Sequence, residues 1–379
     1  MSIVENQTEI FDSLADHINK HFYHSDLEAL RAVLAAVHAH YAGADPVWLF
    51  VIGPSGSGKT SVAINCISQL PDVMVISDLT PKSFLVGTPD GQEKSILNHP
   101  SIIFAFKDFT TMISKRDDDQ REIVATLREV YDGETSRRTA TATRNWSGKC
   151  TVIAAVTPAI ERAWAIHRDL GERFMQVRWL NSSMPAEVAK MARNQRGQEK
   201  QIAEDMRALT MALFADVASR PAAQLSDDDG DRIDSAATLI AKLRSHVVRD
   251  THNGRQIIDV SAPEEPTRLA KSLATLACHH AALFGRDMVE EADMKVALRV
   301  GLDTVPSSRL RIMQAIPPKD TIGTVAIRAT SGVHKNTLLW QTDELEAVEA
   351  LVLGKTLDDE RTCAFTDKFR DLWERAGLL

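Results

Sequence analysis

The sequence predicts an α/β protein: a parallel five-stranded sheet covered by helices on both faces, then an all-helical region and a small C-terminal domain. Three observations predict it. Apolar, strand-length runs alternate with helix-periodic segments up to about residue 183. A glycine-rich loop separates the first of these runs from the helix that follows it. Beyond residue 184 the apolar spacing becomes helical.

The elements follow in order. Residues 8–43 carry helical spacing through Ile10, Phe11, Leu14, Ile18, Leu27, Leu30, Val33, Leu34 and Val37, and residues 25–28 read as a helix start with a capping box. Strands are expected at 47–52, 73–77, 101–106, 150–156 and 175–180. Residues 117–131 read as a helix with acidic residues in its first turn. Residues 186–219 form one long helical candidate, and 232–249 and 265–300 have the same spacing. The acidic run 226–231 reads as a solvated loop or a helix cap. Pro317 and Pro318 mark a boundary, since neither continues a helix. The expected division is 1–183, 184–304 and 305–379.

The loop carries the chemistry. Gly53, Pro54, Ser55, Gly56, Ser57, Gly58, Lys59 and Thr60 fit the phosphate-binding pattern G-x-x-x-x-G-K-[ST] at every fixed position, with Ser61 opening the helix. Glycines let backbone N–H groups turn inward around an anion, and the helix start adds positive potential. Lys59 is expected on the β- and γ-phosphates of ATP, and the Thr60 hydroxyl on Mg²⁺.

Composition narrows the class. The 379 residues are 44% hydrophobic and 25% charged, with no apolar run of membrane-spanning length. The start of the chain has no basic segment followed by an apolar core, and the four cysteines have no paired spacing, so a cytoplasmic location is expected. A net charge of −8 excludes a bulk polyanion binder, so any DNA contact needs a local basic patch.

From about residue 25 to 300 the order of motifs resembles an AAA+ P-loop ATPase, and within that group the minichromosome maintenance helicases. It is also similar to AAA-family ATPases of bacteriophages and integrated elements. The resemblance implies an all-helical lid over 184–304 and ATP hydrolysis with Mg²⁺. Its second motif is an apolar strand ending in Asp-Glu. Here the strand ends Phe106-Lys107-Asp108-Phe109. Aligned on Phe109 and Met112, Lys107 falls on the Mg²⁺-side Asp and Asp108 on the catalytic Glu; shifted by one, Asp108 is the Mg²⁺ ligand and Phe109 replaces the Glu. Either register lacks one carboxylate, which implies slow or partner-stimulated hydrolysis.

The same resemblance assigns further residues. Thr157, after the strand 152–156, takes the place of a polar sensor beside the γ-phosphate, or closes the strand in a Thr-Pro turn. Arg173, in Leu170-Gly171-Glu172-Arg173-Phe174, matches an Arg that enters the neighbouring subunit's site, or is a surface Arg paired with Glu172. An in-trans role implies a homo-oligomer, with a hexamer as the expected ring. Arg268, near Pro266 at a helix start, matches a lid Arg that senses nucleotide, or is a helix-surface Arg.

Two regions are candidate DNA contacts. Residues 134–149 match a pore-facing hairpin with Arg137, Arg138, Arg144 and Lys149 for phosphates and Trp146 for stacking, or are a solvated basic edge. Residues 305–379 suit a winged helix: helices at 310–316, 321–330 and 334–351, then a wing at 352–357. Its third helix places His334, Lys335 and Asn336 toward a major groove, whereas Asp343, Glu344, Glu346 and Glu349 favour docking on protein. Two functions therefore stand: an ATP-driven motor or loader acting on DNA within a mobile element, or a nucleotide-gated regulator or defence switch with little hydrolysis. A small-molecule kinase also carries such a loop, but the lid and the Arg-Phe segment argue against it.

Overall fold

The computed structural model describes residues 2–23, 25–86, 94–138, 143–162, 173–180, 184–250 and 256–378. The chain divides into two compact units, one of residues 1–224 with 275–297, the other of 225–274 with 298–379.

The first unit is built on a five-stranded sheet. Its strands are β1 (Trp48–Ile52), β2 (Val73–Ile76), β3 (Ser101–Phe106), β6 (Lys149–Val156) and β7 (Phe174–Arg178) in the order β2-β3-β6-β1-β7. Every neighbouring pair is parallel. All five residues of β1 are buried, as a central strand covered on both faces requires. Phe50 stacks on Phe174 at 3.9 Å between ring centres, and Phe109 packs against Phe50 and Phe106. These aromatics form the centre of a core that reaches to Trp48, Val124 and Leu127.

The helices obey local signals. In Leu27–Tyr41 a run of eleven of the fifteen residues' side chains is buried or nearly so, from Ala29 to His40, and Asp26 caps its start by accepting from the Ala29 N–H at 3.0 Å. The other Asp26 oxygen accepts from Leu180 N–H at 2.9 Å, so the cap also pins the chain leaving β7. The helix Asp117–Tyr131 has the expected bounds, with three aspartates in its first turn and Ile123, Val124, Leu127 and Val130 buried. Residues 186–219 depart from expectation. They form two helices, Pro185–Asn194 and Glu199–Ala215. Gly197 adopts φ +83° between them, and a Gln198 N–H to Gln195 carbonyl bond closes the turn. Helical spacing continues across the break, which is why the sequence reads as one segment.

A two-stranded antiparallel hairpin, β4 (Glu134–Arg138) and β5 (Thr143–Ser147), precedes β6; its turn, 139–142, lies outside the described residues.

The second unit contains the helix Asp227–Arg244, whose first turn is the acidic run itself, capped by Ser226. Residues 247–249 form a strand, β8, paired with β9 (Ile257–Val260), rather than the end of that helix. Helices Ser307–Gln314, Thr324–Ser331, Lys335–Ala347 and Asp367–Arg375 pack with an antiparallel sheet β10-β12-β11. In that sheet β10 is Ile322–Gly323, β11 is Leu351–Lys355 and β12 is Arg361–Phe365. Among the described residues no helix is long and apolar enough to cross a membrane.

Candidate nucleotide site

Strand β1 delivers the loop to the C-terminal edge of the sheet. Gly53 N–H donates to the Val156 carbonyl at 3.1 Å, so the loop starts level with the end of β6. Gly56 and Gly58 take φ values of +77° and +85°, conformations that side chains resist. They let residues 53–58 fold back before the helical segment that begins at Thr60–Ile64. Within this turn the Ser57 hydroxyl is buried without a hydrogen-bond partner. A buried, unsatisfied hydroxyl in a glycine-rich turn is a vacant donor for an anionic oxygen.

Lys59 is 7% exposed, and its ammonium donates to the Pro54 carbonyl at 3.0 Å. Burial pushes its pKa below the ordinary value, and the nearby Asp108 carboxylate works against that shift. A phosphate would replace the Pro54 carbonyl with a stronger acceptor for the same group.

The loop after β3 comes next to this turn. Thr60 donates its hydroxyl to the Lys107 carbonyl at 3.1 Å. Lys107 and Asp108 are both exposed, whereas Phe109 is buried in the core, which fixes the register of the loop. One Asp108 oxygen accepts from the Thr110 N–H at 2.9 Å and caps the single turn Phe109–Ser114. Thr60 and Lys107 line one cleft of about 540 Å³ with Phe22, Ser61, Asn65 and Arg207.

Thr157 is held here too. Its N–H donates to the Thr110 hydroxyl oxygen at 2.8 Å, and the Thr110 hydroxyl donates to the Thr157 oxygen at 3.2 Å. Thr110 is thus a positioning residue that the sequence offered without marking: it sits in the quoted run Phe109-Thr110-Thr111-Met112, but only the fold pairs it with Thr157. The Arg178–Glu161 ion pair and Trp179 also flank this edge, since Arg178 is level with Ile52. Nothing in their spacing announces it.

Of the other assigned residues, one lies at the far edge of the same sheet and one belongs to the second unit. Arg173 precedes β7, at the opposite edge of the sheet from its own loop, because Phe174 pairs with Trp48 and Arg178 with Ile52. The length of the strand puts about 16 Å between them. There its guanidinium donates to both carboxylate oxygens of Asp132, at 3.0 and 3.2 Å. Residues 170–172 lie outside the described residues. Arg268 is half-buried in the first turn of the helix Thr267–Leu283 and belongs to the second unit.

The expected DNA hairpin changes character. Trp146 is 6% exposed, and its indole N–H donates to the His99 carbonyl, so it is a core residue and not a stacking platform. Lys149 donates to the carbonyls of Gly43 and Ala44, which removes it from phosphate binding. Arg137 donates to the Pro81 carbonyl at 2.8 Å; Arg138 remains exposed.

Of the two positions at the end of β3 that carry carboxylates in the motif, residues 107 and 108 in one register, the first is a lysine. Mg²⁺ takes oxygen ligands in near-octahedral geometry, usually including one or two carboxylates. Here the Thr60 hydroxyl donates to the Lys107 carbonyl, one Asp108 oxygen accepts from the Thr110 N–H, and Lys107 stands at a position where one register of the resemblance places a carboxylate. Among the described residues no group of three or more His, Cys, Asp or Glu side chains is arranged for a metal.

No curated protein matches the chain. Residues 49–181 match the family described as ATPase family associated with various cellular activities (AAA), a family of nucleotide-binding proteins that commonly oligomerise. The matched segment runs from β1 through the phosphate loop, Asp108 and Thr157 to the end of β7, and it supports an AAA+ P-loop ATPase domain with an α/β core in this chain.

Proposed function

We propose that this protein is an ATP-binding, slowly hydrolysing AAA+ protein that acts on DNA as a homo-oligomer. The observation that carries the nucleotide reading is the turn at residues 53–60, with Lys59 buried against it and the Ser57 hydroxyl unsatisfied. In this reading Lys59 and the loop hold the phosphates. Asp108 orients the attacking water, Thr157 senses the γ-phosphate from its seat on Thr110, and Arg173 serves the neighbouring subunit. Residues 1–183 are the core, 184–304 a helical lid that carries Arg268, and 305–379 a winged helix.

Charge in the second unit supports the DNA partner. Glu344 pairs with Arg249 and Arg309, Asp343 with Arg361 and Glu349 with Lys242. Two of the three acidic residues of the helix Lys335–Ala347, Asp343 and Glu344, are therefore paired inside the unit, which weakens the reason for preferring a protein partner. His334, Lys335, Asn336 and Thr337 are exposed at the other end of that helix, where polar and cationic side chains suit a groove.

Lys107 supports a second reading, a nucleotide-gated regulator or defence switch with negligible turnover. Steady-state hydrolysis with and without single-stranded or duplex DNA separates the two. DNA-stimulated turnover supports the first; nucleotide binding with no turnover under any condition supports the second.

A further inference from the structure

We propose that the Lys107 ammonium stands in for the divalent cation at this nucleotide site, so that ATP binds as the free tetra-anion and not as a metal complex. The inference rests on the reading of residues 53–60 as a triphosphate-binding loop.

Position is the first argument. The Thr60 hydroxyl is the group that P-loop sites turn toward the metal, and it is bonded to the backbone of residue 107. Residue 107 is therefore the nearest position on the β3 loop to the place a cation would take. The Lys107 side chain is exposed and lines the same cleft as Thr60.

Chemistry is the second. An ammonium offers three N–H donors and no acceptor, so it cannot ligate a metal and repels one nearby. It does supply what the metal supplies to a triphosphate in the ground state, positive charge against adjacent oxygens. Lys59 in the loop and Lys107 at the neighbouring end of β3 supply two cations against one carboxylate, Asp108, one of whose oxygens accepts from the Thr110 N–H. That balance favours a bare polyphosphate and disfavours an added divalent ion.

The experiment is calorimetric titration of the full chain with ATP in buffer containing EDTA and in buffer containing MgCl₂. Wild type is expected to bind at least as tightly in EDTA as in MgCl₂, where magnesium competes for the free nucleotide. Lys107→Ala should lose about ten-fold or more in EDTA, the size of a lost charge-assisted hydrogen bond. Lys107→Arg should keep metal-free binding, and so shows that loss in the Ala variant is not misfolding. Lys107→Asp should bind ATP only with Mg²⁺. A wild type that loses about ten-fold on chelation overturns the inference, as does a Lys107→Ala variant that binds like wild type in EDTA. Lys59→Ala marks the underlying reading: if it binds ATP as wild type does, the loop is not the site and both ideas fall. If it loses binding while Lys107→Ala does not, only the role of Lys107 falls.

Discussion

The Thr60 hydroxyl lies 3.1 Å from the Lys107 carbonyl, and this single bond joins the end of the phosphate loop to the end of β3. It makes residue 107 the neighbour of Thr60 and leaves Asp108 close enough to Lys59 to act on its charge. The electrostatics of the site follow from that register. Lys107 takes one of the two carboxylate positions of the motif in the register aligned on Phe109, and in the proposed function the carboxylate present, Asp108, acts on water.

Asp108 is the only carboxylate of the pair, so its loss should affect chemistry and spare binding. Asp108→Asn keeps an oxygen to cap the Thr110 N–H. Hydrolysis is expected to fall by about 100-fold or more, the range for a lost general base, with ATP affinity close to wild type. Single-turnover hydrolysis and calorimetry on the same preparation check both halves. Unchanged hydrolysis would remove Asp108 from the reaction.

Thr110 is predicted to act through Thr157. Thr110→Val leaves the Thr157 N–H without its acceptor, and should cost about 1–3 kcal/mol in urea denaturation. Thr110→Ser retains the hydroxyl and should restore both stability and turnover. A stable Val variant with full activity would contradict the arrangement.

Arg173 lies at the opposite end of β7 from its own loop, so in the proposed function it serves a neighbouring subunit. Arg173→Ala and Lys59→Ala are each expected to lack hydrolysis alone. Mixed together they should recover part of it, since one supplies an intact loop and the other an intact Arg. No recovery in mixed oligomers, confirmed by mass measurement, would rule out the in-trans role. The Arg173–Asp132 pair is half in solvent and should contribute less than about 1 kcal/mol to stability.

Acid should destabilise the first unit through three buried histidines. His38 donates from Nε2 to the Val217 carbonyl at 2.8 Å, so its Nδ1 accepts from His279 Nδ1–H at 3.0 Å, and the His38 ring must be neutral. His40 lies between the Thr151 and Ser101 hydroxyls. Burial lowers the pKa of each to about 4, helped by Arg220 at His38 and by Lys149 at His40 and His279. The unfolded chain binds these protons first, so the stability is fully present above about pH 6.5 and is lost as pH falls toward 4. Each group adds a slope of about 1.4 kcal/mol per pH unit within that window. Urea denaturation at pH 7, 6, 5 and 4 reads the slope, and His40→Gln should flatten it.

The second unit should depend on Glu344. Arg309 is 5% exposed and also donates to the carbonyls of Leu243 and Ser245. Removing its carboxylate partner by Glu344→Ala should cost about 3–5 kcal/mol, because the cation stays buried. Denaturation midpoints of wild type and variant test this; a change below about 1 kcal/mol would show that the pair is solvated.

The sequence revealed those parts of the fold whose residues act locally. Strand β3 and the helix Asp117–Tyr131 have the bounds that their apolar spacing and acidic first turn imply. The loop was legible because its glycines and Lys59 are contiguous. The break at Gly197 was not, since apolar spacing carries on past it. Trp146 looked available because cations surround it, yet burial is decided by what packs over the hairpin, and its indole reaches His99, far away in sequence. The inward turn of Glu344 was hidden for the same reason: its partners, Arg249 and Arg309, lie 95 and 35 residues away. Thr110 and Thr157, 47 residues apart, become one unit only when β3 and β6 lie side by side.

Titration of ATP into the wild-type chain and into Lys59→Ala tests the central claim most directly. The account predicts saturable binding by wild type and none by the variant, with both chains folded by circular dichroism. Absence of binding by wild type across a wide concentration range, or equal affinity in the two, would contradict it.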